Sequence, residues 1–219
     1  MRDSRALLPV ALLGAGVITA AGFLVLARRV DRHETRRPDG AARKRLPKRR
    51  RRPTRAVAEW IEPLGKWYGQ MPMAAVAATA LWRARGPRAA IPVAGASAAA
   101  ASLAWLLERV MPARTPPPGR HSPTEPAFPS GHALQTSAAA WAAAHVLIRE
   151  GASAGVVVPL AVALPIASGL TKLYLDKHWL TDVLGGYLLG ATIAASAAAG
   201  YELGPRPSRA ARVRAWLTA

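Results

Sequence analysis

The chain has 219 residues, of which 51% are hydrophobic, and 30 Lys and Arg against 12 Asp and Glu give a formal charge of +18. It contains no Cys, which excludes disulfides and thiolate metal sites. Such a charge is typical of nucleic-acid-binding domains, but a soluble basic domain lacks the long apolar blocks seen here. We therefore expect anionic lipid, and no nucleic acid, as a partner.

The first apolar block covers residues 6–27, which are apolar apart from Thr19 and long enough to cross the hydrocarbon core of a bilayer. Arg2 and Arg5 precede the block, as they would in a signal peptide. The length of the block and the basic segment directly after it favour an uncleaved anchor. We assign residues 1–28 to an N-terminal transmembrane anchor.

A basic linker follows at residues 29–55, where four consecutive arginines occupy 49–52 and prolines interrupt the rest. This composition predicts a disordered or extended segment that lies on lipid headgroups. Residues 28–55 would then bind anionic membrane lipids, at about 1 kcal/mol for each cation near the surface. A solubilising cytoplasmic loop is the alternative interpretation.

The next segment predicts an interfacial helix that carries Trp60 and Trp67 and is broken near Pro63. It continues into the short apolar block 71–82, whose helix should begin before Met71. Four further candidate spans lie at residues 89–107, 132–149, 152–171 and 183–201. With the anchor this makes about six transmembrane helices. Ala, Gly and Ser dominate them, which favours a compact, all-α polytopic bundle over residues 56–204, followed by a basic tail at 205–219.

A proline-rich loop at residues 108–131 ends in the sequence Phe128-Pro129-Ser130-Gly131-His132. An apolar run without breakers follows, so these residues should form the first turn of a helix. The unpaired N–H groups and positive dipole end of that turn favour a phosphate, and Gly131 lets an anion approach the backbone. His132 can exchange a proton near neutral pH. A serine N-cap followed by glycine is also an ordinary helix start.

A second polar stretch lies between two apolar runs and contains Lys172, His178 and Asp182. His178 and Asp182 are four residues apart and share a face if the chain is helical there. A carboxylate on one ring nitrogen makes the other nitrogen a better base or nucleophile. Ordinary membrane-interface residues are the alternative interpretation. Two membrane crossings separate the stretches, so both lie on one face of the membrane.

These two stretches resemble the second and third signature motifs of the type 2 phosphatidic acid phosphatase family. The second motif, Pro-Ser-Gly-His, is matched in full by residues 129–132. The third motif is Ser-Arg, five residues, His, three residues and Asp. Its spacing is matched with Thr171 and Lys172 in place of Ser and Arg, followed by His178 and Asp182.

The family's first motif, Lys, six residues and Arg-Pro, is degenerate in this chain. If Arg109 takes the Lys position, Pro116-Pro117 falls where Arg-Pro belongs, whereas a register from Glu108 gives Thr115-Pro116. Arg114 or Arg120 is the candidate for the missing cation, on charge and location.

The resemblance implies hydrolysis of a phosphomonoester or diphosphate without a metal or other cofactor. His178 would attack phosphorus and form a phosphohistidine, Asp182 would orient His178, and His132 would protonate the leaving oxygen and then activate water. The phosphate would be held by Ser130, Gly131, Lys172, Arg109, Arg114 and Arg120.

A lipid phosphate is the expected substrate, because the reacting loops lie at the headgroup level. Phosphatidic acid, phosphatidylglycerol phosphate and polyprenyl phosphates or diphosphates remain open, as does the oligomeric state. Lys172 for Arg replaces a bidentate fork by a point charge, which predicts slower turnover or a narrower substrate range. The alternatives are a non-catalytic lipid-phosphate-binding relative, a polytopic transporter or scaffold, and a haloperoxidase that shares this type of site.

Two arguments predict opposite orientations for the protein in the cell membrane, which we expect to be the bacterial plasma membrane. Bacterial members of the resembled family usually have an outward-facing site. The basic linker, by the positive-inside rule, belongs in the cytoplasm. If residues 56–107 cross the membrane twice, the site lies on the linker's side. We interpret the site as cytoplasmic because the linker has the largest local density of cations.

Overall fold

The computed structural model describes residues 3–46, 52–65, 67–111, 114–118 and 127–205. Within those ranges it is helical and has no strand, as predicted for an all-α protein. The helices are α1 (Asp3–Asp31), α2 (Arg36–Arg45), α3 (Arg52–Ile61), α4 (Trp67–Arg85), α5 (Pro87–Val110), α6 (Gly131–Arg149), α7 (Ala154–Tyr174) and α8 (Leu180–Leu203), with a short 3₁₀ turn at Glu62–Gly65.

Four of the described helices, α1, α5, α7 and α8, are long and apolar enough to cross a membrane. The helices α4 and α6 have 19 residues each but are more polar, so the expected six spans are an approximate count. The protein is a multi-pass membrane protein, and the predicted break near Pro63 is confirmed by the 3₁₀ turn between α3 and α4.

The long helices alternate in direction, so each end of the bundle collects a different set of side chains. At one end, Lys172 near the end of α7 contacts Glu62 before α4, and the Ser130 N–H before α6 donates to the Asp182 carbonyl of α8. At the other end, Arg149 of α6 pairs with Glu202 of α8 at 2.6 Å. Both signature stretches therefore lie at one end, as predicted.

The close approach of α6 and α8 depends on glycine. A Cβ on Gly186 would lie 2.5 Å from the Ser130 carbonyl oxygen, and one on Gly190 would lie 2.9 Å from the Leu134 carbonyl oxygen. Real side chains do not fit at those distances, so only glycine lets the two backbones pack this closely. The contact fixes the start of α6, which carries His132, against the start of α8.

The linker contains structure that its composition does not predict. Residues expected to be disordered or extended include α2, whose Asp39 is only 2% exposed. The Asp39 carboxylate accepts hydrogen bonds from the Thr181 N–H at 3.0 Å, the Thr181 hydroxyl at 2.9 Å and the Arg114 guanidinium at 2.6 Å. These bonds, made to residues distant in sequence, dock α2 on the start of α8. Residues 47–51 of the linker lie outside the described residues.

The docking of α2 also puts the linker and the signature stretches at the same end of the bundle. Arg43 of α2 pairs with Asp176 at 3.3 Å and donates to the Pro118 carbonyl at 2.7 Å. The side of the membrane on which α2 lies is therefore the side on which the two histidines lie.

We predict that single cysteines at Ala41 on α2 and Ala84 on α4 face opposite sides of the membrane. Both positions are exposed, and the native chain has no Cys. If the basic linker is cytoplasmic, a membrane-impermeant maleimide labels Ala84→Cys in whole cells, and Ala41→Cys reacts only after lysis. Labelling of Ala41→Cys alone would reverse the orientation, and labelling of both in whole cells would contradict the helix order.

Candidate active site

The Pro-Ser-Gly-His stretch forms the tight entry into α6. Phe128 is 3% exposed and stacks on Phe23 of α1 with ring centroids 5.7 Å apart, which ties the loop to the bundle. Ser130 is the N-cap residue and is fully buried, and within the described structure its hydroxyl has no hydrogen-bond partner. Gly131 opens the helix, and a Cβ there would lie 3.5 Å from the Ala104 Cβ. A buried, unpaired hydroxyl beside a helix N-terminus is suited to an anion.

His178 lies in the short connection between α7 and α8, where two acceptors surround one of its ring nitrogens. Its Nδ1 is 2.7 Å from the Ala127 carbonyl oxygen and 3.8 Å from Asp182 Oδ2. Because a carbonyl oxygen can only accept, Nδ1 carries the hydrogen, and Nε2 has the free lone pair in the neutral ring. The Ala127 carbonyl therefore accepts the hydrogen bond from His178, and the Asp182 carboxylate lies within ion-pair range. Two groups are placed to orient the ring, where the sequence predicted Asp182 alone.

Asp182 is fully buried in the first turn of α8. Its Oδ2 accepts the Trp179 backbone N–H at 2.7 Å, which caps the helix, and its Oδ1 accepts a hydrogen bond from Arg114. An ionised carboxylate is stabilised at a helix N-terminus and by a guanidinium. Asp182 therefore contributes a fixed negative charge close to His178.

Lys172, on the last turn of α7, is 2% exposed and points at an acidic partner that sequence reasoning missed. Its Nζ is 2.7 Å from Oε1 of Glu62, the first residue of the 3₁₀ turn, and the same oxygen pairs with Lys177. Burial alone would raise the pKa of Glu62, but the hydrogen bonds from Lys172 and Lys177 outweigh burial and hold this pKa at about 2. Glu62 is therefore ionised at neutral pH.

His132 lies on the first turn of α6, and the 3₁₀ turn covers it. Its Nε2 is 3.3 Å from the Glu62 carbonyl oxygen, and a Cβ on Gly65 would lie 2.5 Å from its Cδ2. Burial lowers the pKa of His132, and the positive charge of Lys172 lowers it further. His132 and Lys172 thus both contact Glu62.

The three arginines nominated from the proline-rich loop differ from expectation. Arg114 binds carboxylates: its guanidinium contacts Asp182 and donates to Asp39 at 2.6 Å. Arg109 lies over the Trp105 ring at 3.6 Å and donates to the Trp105 carbonyl of its own helix. Arg120 lies outside the described residues. Among the described cations, Lys172 and Lys177 are therefore better placed for a phosphate than Arg109 or Arg114.

Two histidines, two lysines and the buried hydroxyl of Ser130 thus lie at one end of the bundle, around the starts of α6 and α8. The profile of the PAP2 superfamily matches residues 73–203, and the chain belongs to that superfamily. The predicted resemblance to type 2 phosphatidic acid phosphatases is confirmed.

One solved structure gives the same fold. It is the crystal structure of a transmembrane PAP2-type phosphatidylglycerolphosphate phosphatase from Bacillus subtilis, with a TM-score of 0.71 and 22% sequence identity over 81% of this chain and 91% of that chain. No curated protein sequence matches the chain significantly. The family profile therefore gives the superfamily, and the solved structure shows that the chain has the fold of a membrane member of it.

We predict that Arg114→Ala destabilises the protein far more than Arg109→Ala. The Arg114 side chain is 18% exposed, and its carboxylate partners Asp39 and Asp182 are 1% and 0% exposed. Removing the guanidinium leaves two buried charges uncompensated, which costs about 3–5 kcal/mol, whereas an exposed pair such as Arg109 and Trp105 contributes about 0.5–1 kcal/mol. Thermal unfolding in detergent, followed by circular dichroism, measures both. Equal losses of stability would show that the ion pairs of Arg114 with Asp39 and Asp182 do not stabilise the fold.

Proposed function

We propose that the protein is a metal-independent lipid phosphatase that works through a phosphohistidine on His178. The observation that carries the proposal is the environment of this ring. Nδ1 is held at 2.7 Å by a carbonyl oxygen, and the fully buried Asp182 lies within ion-pair range. Nε2 is then the nucleophilic nitrogen, and its orientation is fixed before substrate arrives.

In the first step, His178 Nε2 forms a bond to phosphorus, and the bond from phosphorus to the leaving oxygen of the lipid breaks. His132 donates a proton to that oxygen. Burial and nearby positive charges keep His132 neutral in the unliganded site. The negative charge of a bound phosphate opposes both effects, so the ring can take up a proton when substrate enters. Asp182 stabilises the positive charge that develops on His178.

In the second step, His132 takes a proton from water, whose oxygen bonds to phosphorus while the bond from phosphorus to Nε2 breaks. Inorganic phosphate leaves, and His178 returns to its starting state. His132 makes both proton transfers, and His178 holds the phosphoryl group between the two steps. The cycle therefore balances without a redox partner. A metal is not needed as nucleophile generator, because the imidazole is already a nucleophile near neutral pH.

Transition-state charge on the peripheral phosphoryl oxygens is opposed by Lys172, by the Ser130 hydroxyl and by the N-terminal turn of α6 that Gly131 begins. The buried, unpaired Ser130 hydroxyl supports its role as a donor to phosphate. Fixed donors of this kind lower the barrier because they need no reorganisation during the reaction. Arg109, Arg114 and Arg120 remain weaker candidates from the degenerate first motif.

The substrate proposed is a membrane lipid that carries a phosphomonoester or diphosphate. Exposed tryptophans, Trp60 at 84% and Trp67 at 65%, flank the 3₁₀ turn at this end of the bundle, as expected at a headgroup layer. Phosphatidylglycerol phosphate is the first candidate to test because of the Bacillus subtilis structure, followed by phosphatidic acid and polyprenyl phosphates. The basic α2 supports binding of anionic lipid by the linker.

A second candidate function is a non-catalytic protein that binds lipid phosphate. It is favoured by one observation: Arg114, a candidate for the missing cation of the first motif, is paired with two carboxylates and does not offer its guanidinium to a phosphate. The two functions differ in whether phosphate is released.

We predict that purified protein in detergent releases phosphate from at least one lipid phosphate, and that His178→Ala lowers the rate by more than about a thousandfold. The loss follows from removal of the only group that bonds to phosphorus in the first step. His33→Asn is the matched control. His33 is exposed in the turn between α1 and α2, and its φ of 59° is tolerated by Asn.

The same screen with EDTA tests metal independence, because chelation should leave the rate unchanged. Release that persists in His178→Ala would refute the nucleophile assignment. Tight binding of lipid phosphate without release by the native protein would instead favour the non-catalytic function.

A further inference from the structure

The 3₁₀ turn at Glu62–Gly65 seals the candidate phosphate site from one side. Its first residue supplies a carboxylate to Lys172 and Lys177, and its backbone carbonyl lies 3.3 Å from His132 Nε2. Its last residue, Gly65, lies against the His132 ring, where a Cβ would be 2.5 Å from Cδ2. One short turn thus contacts both the cations and the general acid of the proposed mechanism.

The Glu62 carboxylate has the chemistry of the ligand that the site is proposed to take. It is an oxyanion, its side chain is 11% exposed, and one of its oxygens receives two ammonium groups. Phosphate oxygens make the same charge-assisted bonds to lysine. A phosphate that takes the same ammonium hydrogens as this carboxylate competes with it.

Lys177 is the less obvious of the two cations. It immediately precedes His178 in the chain, its side chain is 24% exposed, and it pairs with the same Glu62 oxygen as the buried Lys172. Two lysines that converge on one carboxylate oxygen also converge on one phosphate oxygen that replaces it. Their joint charge offsets the loss of an arginine fork at position 172.

The helix that precedes the turn, α3, exposes apolar side chains at this end of the bundle. α3 contacts α7 and the turn itself, and it exposes Val57 at 57% and Trp60 at 84%. Apolar side chains of this kind insert among lipid headgroups. α3 and the turn are therefore placed to contact a lipid in the headgroup layer.

We propose that Glu62 occupies the substrate's phosphate position, that Lys172 and Lys177 form the phosphate-binding pair, and that substrate displaces the 3₁₀ turn to open the site. Glu62 thereby acts as an internal competitor, which restrains the site until a phosphate of sufficient charge is present. The proposal depends on the proposed function for the nature of the substrate, but its anion competition can be measured without turnover.

The test is the affinity of the full-length protein in detergent for inorganic phosphate, measured by isothermal titration calorimetry. Glu62→Gln removes the competing charge and should tighten phosphate binding about tenfold, the equivalent of one charge-assisted hydrogen bond. Glu59→Gln, which removes the same charge from an exposed position on α3, is the matched control and should leave the affinity unchanged.

A second pair of variants tests the role of Lys177. In the Glu62→Gln background, Lys177→Ala should reverse the gain in phosphate affinity, whereas Lys44→Ala, on the exposed side of α2, should preserve it. If Glu62→Gln does not fold, Glu62→Asp replaces it. That side chain keeps the charge but is one methylene shorter, so phosphate binding should tighten by a smaller factor.

Phosphate affinity that is unchanged or weaker in Glu62→Gln and Glu62→Asp would overturn the proposal and make Glu62 a positioning residue for Lys172. Equal effects of Lys177→Ala and Lys44→Ala would remove Lys177 from the site. A gain in affinity in protein that hydrolyses no lipid phosphate would support the competition while contradicting the phosphatase function, so the two failures are distinguishable.

Discussion

The buried carboxylate of Asp182 is the constraint on which the rest of the site depends. It caps α8 through the Trp179 N–H at 2.7 Å, binds the Arg114 guanidinium and lies 3.8 Å from His178 Nδ1. The backbone carbonyl of the same residue accepts the Ser130 N–H at 2.9 Å. A charge with no exposed surface needs all its partners in place, so one residue fixes α8, the proline-rich loop and the entry into α6 together.

The site has a second group of charged side chains besides Asp182 and Arg114. Lys172 and Lys177 form a positive pair next to the histidines, and Glu62 neutralises it. On the other side, Asp39 of α2 shares Arg114 with Asp182. Both acidic partners come from the segment between the first span and α4. This segment is therefore held against the end of the bundle that carries the two signature stretches.

Sequence reasoning recovered what depends on local pattern. The all-helical bundle follows from apolar blocks separated by charged clusters, and the position of both polar stretches at one end of it follows from counting the apolar runs between them. It failed where a residue's role depends on a partner distant in sequence. Asp39 lies among arginines in a stretch that looks disordered, and only Thr181 and Arg114 make it a docking point. Glu62 looks like one more interfacial charge until α7 brings Lys172 to it.

The most direct measurement of the central claim is the identity of the residue that carries phosphate during turnover. Protein in detergent is mixed briefly with a lipid bearing labelled phosphate, quenched in alkali, which preserves phosphohistidine, and digested for mass spectrometry. We expect the label on His178, and no labelled protein from His178→Ala. Label on another residue, or release of phosphate with no labelled protein at any time, would contradict the mechanism.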